Sequence, residues 1–184
     1  MHSESDEQLL QRICAGDAGA FARLYERYKG RLYAYCCRLL RNESWAEDAV
    51  QDTFLKIHAG VHGVNNPQSF PMWIFRIARN EALMMLREKK QTVEADGDAI
   101  WDNNTPLEVL TRKEDLELLR SLLDRLSVLY REVILLREIE QLSYAEIAEL
   151  TGTTVSSVKS RIFKARKALG AKLKPLKMKE RYDP

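Results

Sequence analysis

The segment that most restricts the fold of this chain is LSYAEIAELTGTTVSSVKSRIFKARKAL, Leu142 to Leu169, which reads as two short helices around a glycine turn. Ser143 stands three residues before Glu146, the spacing of a capping box in which hydroxyl and carboxylate each satisfy an amide left open at the helix start. Ile147, Ala148 and Leu150 follow as buried positions. Thr151, Gly152 and Thr153 form the turn, glycine supplying the positive φ that ends a helix without a Cβ clash, and Thr154 is placed to cap the next helix. On that helix Val155, Val158, Ile162, Ala165 and Leu169 recur at spacings of three and four and so share one core-facing stripe. Ser156, Lys159, Ser160, Phe163, Lys164 and Lys167 occupy the other face. A helix in the major groove needs cations for phosphates and side chains that reach base edges, and this face has both, with an aromatic able to pack on a thymine methyl. A solvated lysine face is the plainer alternative, and the capped partner helix and tight turn favour a helix-turn-helix.

Charge is distributed in the same sense. The formal net charge of the 184 residues is only +2, yet every charged residue from Lys159 to Lys179 is Lys or Arg. From Gln91 to Thr111 every one is acidic: Glu94, Asp96, Asp98, Asp102 and Glu108. The basic end can condense on nucleic acid, while the acidic stretch is repelled from it. With 45% hydrophobic and 30% charged residues, the chain suits one core or two small ones and has no apolar run long enough for a bilayer. The start, MHSESDEQLL, lacks the basic and apolar regions of an export signal, so a cytoplasmic location is expected. Cys14, Cys36 and Cys37 have no CxxC spacing and leave one thiol over; Cys14 and Cys36 are expected to pack as small hydrophobes.

Helical periodicity fills Glu7 to about Lys90, stops, and resumes near Lys113, with no competing strand pattern. The fold class is therefore all-α: two small helical domains joined by an acidic flexible linker, the C-terminal one a helix-turn-helix. The expected boundaries are 1–90, a linker over 91–112, a second domain over 113–175 and a basic tail over 176–184. Gly97, Asn103, Asn104 and Pro106 mark the linker, in which Ile100 and Trp101 hint at a docking contact. In the first domain Phe21, Leu24, Tyr28, Leu32, Tyr35 and Leu39 define a long amphipathic helix. Asn42 and Glu43 break it, and Ser44 with Glu47 makes a second capping box for a helix bearing Glu47, Asp48, Gln51 and Asp52 near its start. Those carboxylates either favour the positive helix end or form an acidic docking patch. A loop containing Asn65, Asn66 and Ser69 precedes a helix from about Phe70 to Lys89. There Trp73, Ile74, Ile77 and Ala78 face inward, and Arg76, Arg79 and Asn80 lie elsewhere on the surface. Aromatics interleaved with cations suit unpaired bases; Trp73 is expected in the core, and Phe70 with the Asn65 to Ser69 loop is expected to touch DNA.

Taken together, WAEDAVQDTFLKI, SFPMWIFRIARNEALMMLR and LSYAEIAELTGTTVSSVKSRIFKARKAL resemble the bacterial extracytoplasmic-function (ECF) sigma factors, across nearly the whole chain outside the linker and tail. That resemblance implies contacts to the RNA polymerase core enzyme from Glu47, Asp48, Gln51, Asp52 and Phe54. It implies recognition and melting of a promoter minus-10 element by the loop from about Val61 to Phe70 with Arg76, Arg79 and Asn80, a flipped base being held in a loop pocket. It implies minus-35 readout by Lys159, Ser160, Phe163 and Lys164, with Ser156 also at that element and Arg161, Arg166 and Lys167 nearer phosphates, and control by an anti-sigma factor in a stress or envelope response. Two positions depart from the family pattern. Met84 stands where aspartate is frequent and is expected to adjust packing rather than promoter choice. Ser127 stands where proline is common and can cap the following helix.

No residues argue for a covalent reaction: there is no GxxxxGK, no GxSxG and no defensible catalytic acid pair, so neither an enzyme nor a cofactor is expected. His58 and His62 have helical ligand spacing, but Gly60 and Gly63 interrupt the helix and no third ligand is evident, so no metal site is expected. The rival from another class is a free-standing helix-turn-helix regulator, which would need a dimer surface and palindromic half-sites.

Overall fold

The computed structural model describes residues 4–61, 69–89, 100 and 115–180, the side chains of 89 and 115–118 and those after 173 excepted. Asn65, Asn66, His62, Trp101 and the rest of the linker besides Ile100 lie outside the described residues. Among those described there is no β-strand and no helix long and apolar enough to cross a membrane. The chain divides into two compact units, Met1–Val93 and Glu94–Pro184.

Unit 1 is built from α1 (Asp6–Cys14), α2 (Ala18–Leu40), α3 (Glu43–Gly60) and α4 (Phe70–Lys89). Its core is the α2 stripe Leu24, Tyr28, Leu32, Tyr35 and Leu39 against Ala46, Ala49 and Ile57 of α3 and Phe70, Ile74, Ala78 and Ala82 of α4. Ionic contacts hold α1 to α2: Arg27 pairs with Asp6 at 2.5 Å, and the Tyr28 hydroxyl donates to Asp6. Arg41, at φ 57°, reverses the chain after α2. The start of α3 corrects the sequence reading, because its cap is Asn42, whose Oδ1 accepts from the Trp45 amide at 2.9 Å. Asparagine caps as well as serine does and stands two residues earlier, so Ser44 falls inside the first turn. The helix also runs through to Gly60, so that glycine does not interrupt it.

Cys36 is buried, and burial pushes its thiol up to about 12. Cys14 is exposed at the end of α1, against the expectation that it packs as a hydrophobe.

Unit 2 holds α5 (Asp115–Arg125), α6 (Val128–Ile134), a π-helical segment (Leu135–Ile139), α7 (Tyr144–Thr151) and α8 (Val155–Glu180). Leu126, Tyr130, Val133, Leu136, Ile147, Leu150, Val158, Ile162 and Ala165 form its core. At the α5–α6 corner the buried Arg131 donates to the carbonyls of Asp124 (3.0 Å) and Leu126 (3.3 Å), satisfying groups that the end of α5 leaves open. Ser127 occupies the α6 cap position, but its hydroxyl makes no capping bond, contrary to expectation. Its backbone N–H instead donates to the carbonyl of Ile100 at 2.9 Å, which ties that linker residue to the corner.

Candidate functional site

The helix-turn-helix assembles from local rules. Ser143 Oγ accepts from the Glu146 amide at 3.2 Å while Glu146 Oε2 accepts from the Ser143 amide at 2.7 Å. Hydrogen bonding to Ser143, through its side chain first and its backbone N–H second, holds the Glu146 carboxyl below its ordinary range. Gly152 ends α7 at φ 65°, and Thr154 Oγ1 accepts from the Ser157 amide at 3.1 Å. With α8 so phased, Val158, Ile162, Ala165 and Leu169 are buried. Val155, expected on the same stripe, is 39% exposed, because it opens the helix and overhangs the core. Ser156, Lys159, Ser160, Phe163, Lys164, Arg166 and Lys167 are all exposed and Arg161 is half-buried. Phe163 is 67% exposed, an aromatic ring standing open to solvent.

Two cations near this face have neighbours that the sequence did not disclose. Arg166 donates to Glu138 Oε1 from Nη2 at 2.5 Å and from Nε at 3.1 Å, and Glu138 is supplied by the π-helical segment. Lys159 Nζ stands 5.8 Å from the Tyr144 ring centroid, and the Arg137 guanidinium 4.9 Å from it. Arg137 is itself anchored to the Leu142 carbonyl at 2.7 Å. An intramolecular carboxylate therefore sits where a phosphate oxygen would compete for Arg166.

In unit 1 the outward side of α2 and α3 forms a groove of about 860 Å³, lined by Phe21, Tyr25, Lys29, Gly30 and Tyr33 from α2 and Glu47, Val50, Gln51, Phe54, Leu55 and His58 from α3. Glu47, Asp48 and Gln51 are exposed and Asp52 is half-buried. Phe54 is only 5% exposed and rests on Tyr25 with ring centroids 4.6 Å apart. It forms the floor of the groove. The apolar groups that do reach out are Leu55 (61% exposed) and Tyr25 (39%). Neither was singled out in the sequence, where Leu55 beside Phe54 reads as one more core residue. His58 meets Phe21 edge-on at 5.2 Å.

A second groove of about 410 Å³ lies between α3 and α4, lined by Lys56, Ile77, Arg79, Asn80, Glu81, Leu83, Met84 and Arg87. Asn80 is exposed, Arg76 and Arg79 are half-buried, and Ser69 is exposed just before α4. Lys56 Nζ is 2.6 Å from Glu81 Oε1, whose side chain is 5% exposed. Phe70 is fully buried, edge-on to Tyr28 at 5.9 Å and tilted against Trp73 at 5.7 Å. It is a core residue and does not offer its ring to DNA. Trp73 and Ile77, expected inside, are half-buried. The reason is phase: α4 begins at Phe70, so Phe70, Ile74 and Ala78 lie four apart on the innermost line and Trp73 flanks it. Met84, expected to serve packing, is 40% exposed on the rim of this groove.

Comparison with known proteins agrees with this layout. Residues 24–92 match sigma-70 region 2, and residues 116–169 match sigma-70 region 4. The chain is 32% identical to the ECF RNA polymerase sigma-E factor of Haemophilus influenzae, over 94% of this chain and 97% of that one. Among solved structures, CnrH in complex with the cytosolic domain of CnrY is 28% identical at a TM-score of 0.69, covering 94% of this chain and 99% of that one. The sigma factor RpoE of Bartonella quintana, solved with the anti-sigma factor NepR, is 27% identical at a TM-score of 0.67, over 84% and 96%. Two helical modules, one with an apolar groove and one with an exposed cationic helix, carry the two regions of a transcription initiation factor. This chain belongs to the ECF RNA polymerase sigma factors. It directs promoter-specific initiation on RNA polymerase, and sigma factors do so by binding and melting DNA rather than by enzymatic turnover.

Proposed function

We propose that the two modules divide the work of initiation between them, with boundaries at 1–90, 91–112, 113–175 and 176–184. In this reading the α2–α3 groove seats on the polymerase core, Leu55 and Tyr25 filling apolar pockets while Glu47, Asp48, Gln51 and Asp52 supply a polar rim. Asn65, Asn66, Ser69, Arg76, Arg79 and Asn80 meet the minus-10 element. Lys159, Ser160, Phe163 and Lys164 read the minus-35 element, while Ser156, Arg161, Arg166 and Lys167 hold its backbone. The acidic segment between the modules avoids DNA and passes along the enzyme, and the protein works in the cytoplasm. An anti-sigma protein, as in the complexes of RpoE with NepR, occludes these surfaces until a stress or envelope signal arrives.

The observation that carries this reading is the contrast of two exposed surfaces. Unit 1 offers an apolar groove edged by carboxylates and unit 2 offers cations around an exposed aromatic. Apolar area with a polar rim suits a protein partner, and cations flanking groups that reach base edges suit a duplex. Run-off transcription with purified core polymerase on genomic fragments tests it. Start sites that appear only when the protein is added support the proposal, and identical transcripts with and without it refute the proposal.

A further inference from the structure

We propose that Met84 is a specificity-determining contact of the α3–α4 groove, its thioether and methyl packing on the C5-methyl of an unpaired thymine. The inference rests on the assignment of this helix to the minus-10 element and adds which base its groove selects.

Met84 stands one helical turn beyond Asn80, so the two side chains rise side by side from α4, with Cβ atoms about 6 Å apart. Both are exposed and both line the groove. With Lys56 paired to Glu81, Arg79 and Arg87 leave the groove net positive, which suits the phosphates flanking a base. Among the described lining residues Glu81 is the one carboxylate. Its side chain is 5% exposed and held by Lys56 at 2.6 Å. The Asn80 amide oxygen can accept from the exocyclic amine of cytosine or adenine, so discrimination falls to Met84, whose apolar surface only a thymine methyl fills. Thymine carries an O4 acceptor next to its C5-methyl on the same edge. An amide N–H of Asn80 can donate to O4 while Met84 covers the methyl, with Ile77 and Leu83 half-buried alongside. An aspartate at position 84 would reverse this chemistry, accepting from an amine and leaving a methyl against a charge.

The test uses the full chain with core polymerase on a promoter identified by run-off transcription. Each minus-10 thymine of the non-template strand is replaced in turn by deoxyuridine, which deletes only the methyl. At one position the wild-type complex should bind about four-fold more weakly, the effect of one buried methyl group. Met84→Leu should keep that ratio. Met84→Asp should bring it to one and move the preference at that position toward cytosine or adenine. Indifference to uracil at every minus-10 thymine, a minus-10 element without thymine, or an unchanged ratio in Met84→Asp each overturns the inference while transcription itself proceeds. Loss of all sigma-dependent transcripts from the wild-type protein would instead break the functional assignment beneath it.

Discussion

Helices α3 and α8 are built alike and present opposite surfaces. Each is capped by a short polar side chain, Asn42 and Thr154, and each lays one apolar stripe into its module's core. Outward, α3 shows Glu47, Asp48, Gln51 and Leu55, whereas α8 shows Ser156, Lys159, Ser160, Phe163, Lys164 and Lys167. The buried stripe decides only that a helix packs. Its outer face decides with what, and in the proposed function one face meets a protein and the other a nucleic acid.

The largest effect should come from spoiling the apolar centre of the first face. Leu55→Glu places a charge where a pocket must be desolvated, and affinity for core polymerase should fall by at least about 2 kcal/mol. Fluorescence anisotropy measures it, and an unchanged helical content of the full-length variant by circular dichroism gives the internal comparison. If the variant seats normally, the groove is not the docking surface. Reversing Asp48 and Asp52 to lysine attacks the rim of the same face and should act in the same direction.

On the second face, Lys159→Ala and Phe163→Ala should each relax preference at one or two upstream base pairs, costing about 1 to 3 kcal/mol in a promoter-library selection. Arg166→Ala should weaken all sequences evenly. Should all three behave alike, the division between reading and holding residues fails.

A smaller effect sharpens the contrast between an open groove and a cationic face partly neutralised from within. Glu138→Gln removes the carboxylate that pairs with Arg166. Duplex affinity should rise by less than about 1 kcal/mol, as befits an exposed pair. The log-log salt slope should steepen by roughly 0.9 if Arg166 gains one phosphate. An unchanged slope would show that Arg166 points away from DNA.

Smallest on binding, and local to unit 2, is the α7 cap. Ser143→Ala should lower thermal stability by about 1 kcal/mol. Glu146 has a depressed carboxyl pKa in the folded state, so its contribution is complete above the ordinary carboxylate value and fades as pH falls through the folded one. Melting curves of Ser143→Ala should therefore lose part of the wild-type pH dependence below about pH 4.5.

The ease with which each region was read follows from the range of its interactions. Ser143 with Glu146, Gly152 and Thr154 act over three or four residues, so the helix-turn-helix was legible in its caps and turn, Val155 at the start of α8 being the one stripe residue misplaced. Phe70 was misplaced and Trp73 set too deep because both are aromatic and lie within one turn, where the repeat alone does not show which of them is on the inner line. Arg166 and Glu138 could not be paired from sequence. They are far apart in the chain, and the π-helical segment, where Glu140 N–H bonds the Leu135 carbonyl at 3.2 Å, shifts the phase that a 3.6-residue repeat assumes. Leu55 was passed over, and Met84 was assigned to packing, because an exposed apolar side chain on an amphipathic helix reads as core until its surroundings are known.

Footprinting of one promoter by the full chain, with and without core polymerase, bears most directly on the whole account. With core present, two boxes should be protected and thymines in the downstream box should become reactive to permanganate; without core, neither should occur. Protection of the same boxes by the chain alone would contradict it, returning the protein to the behaviour of a free-standing regulator.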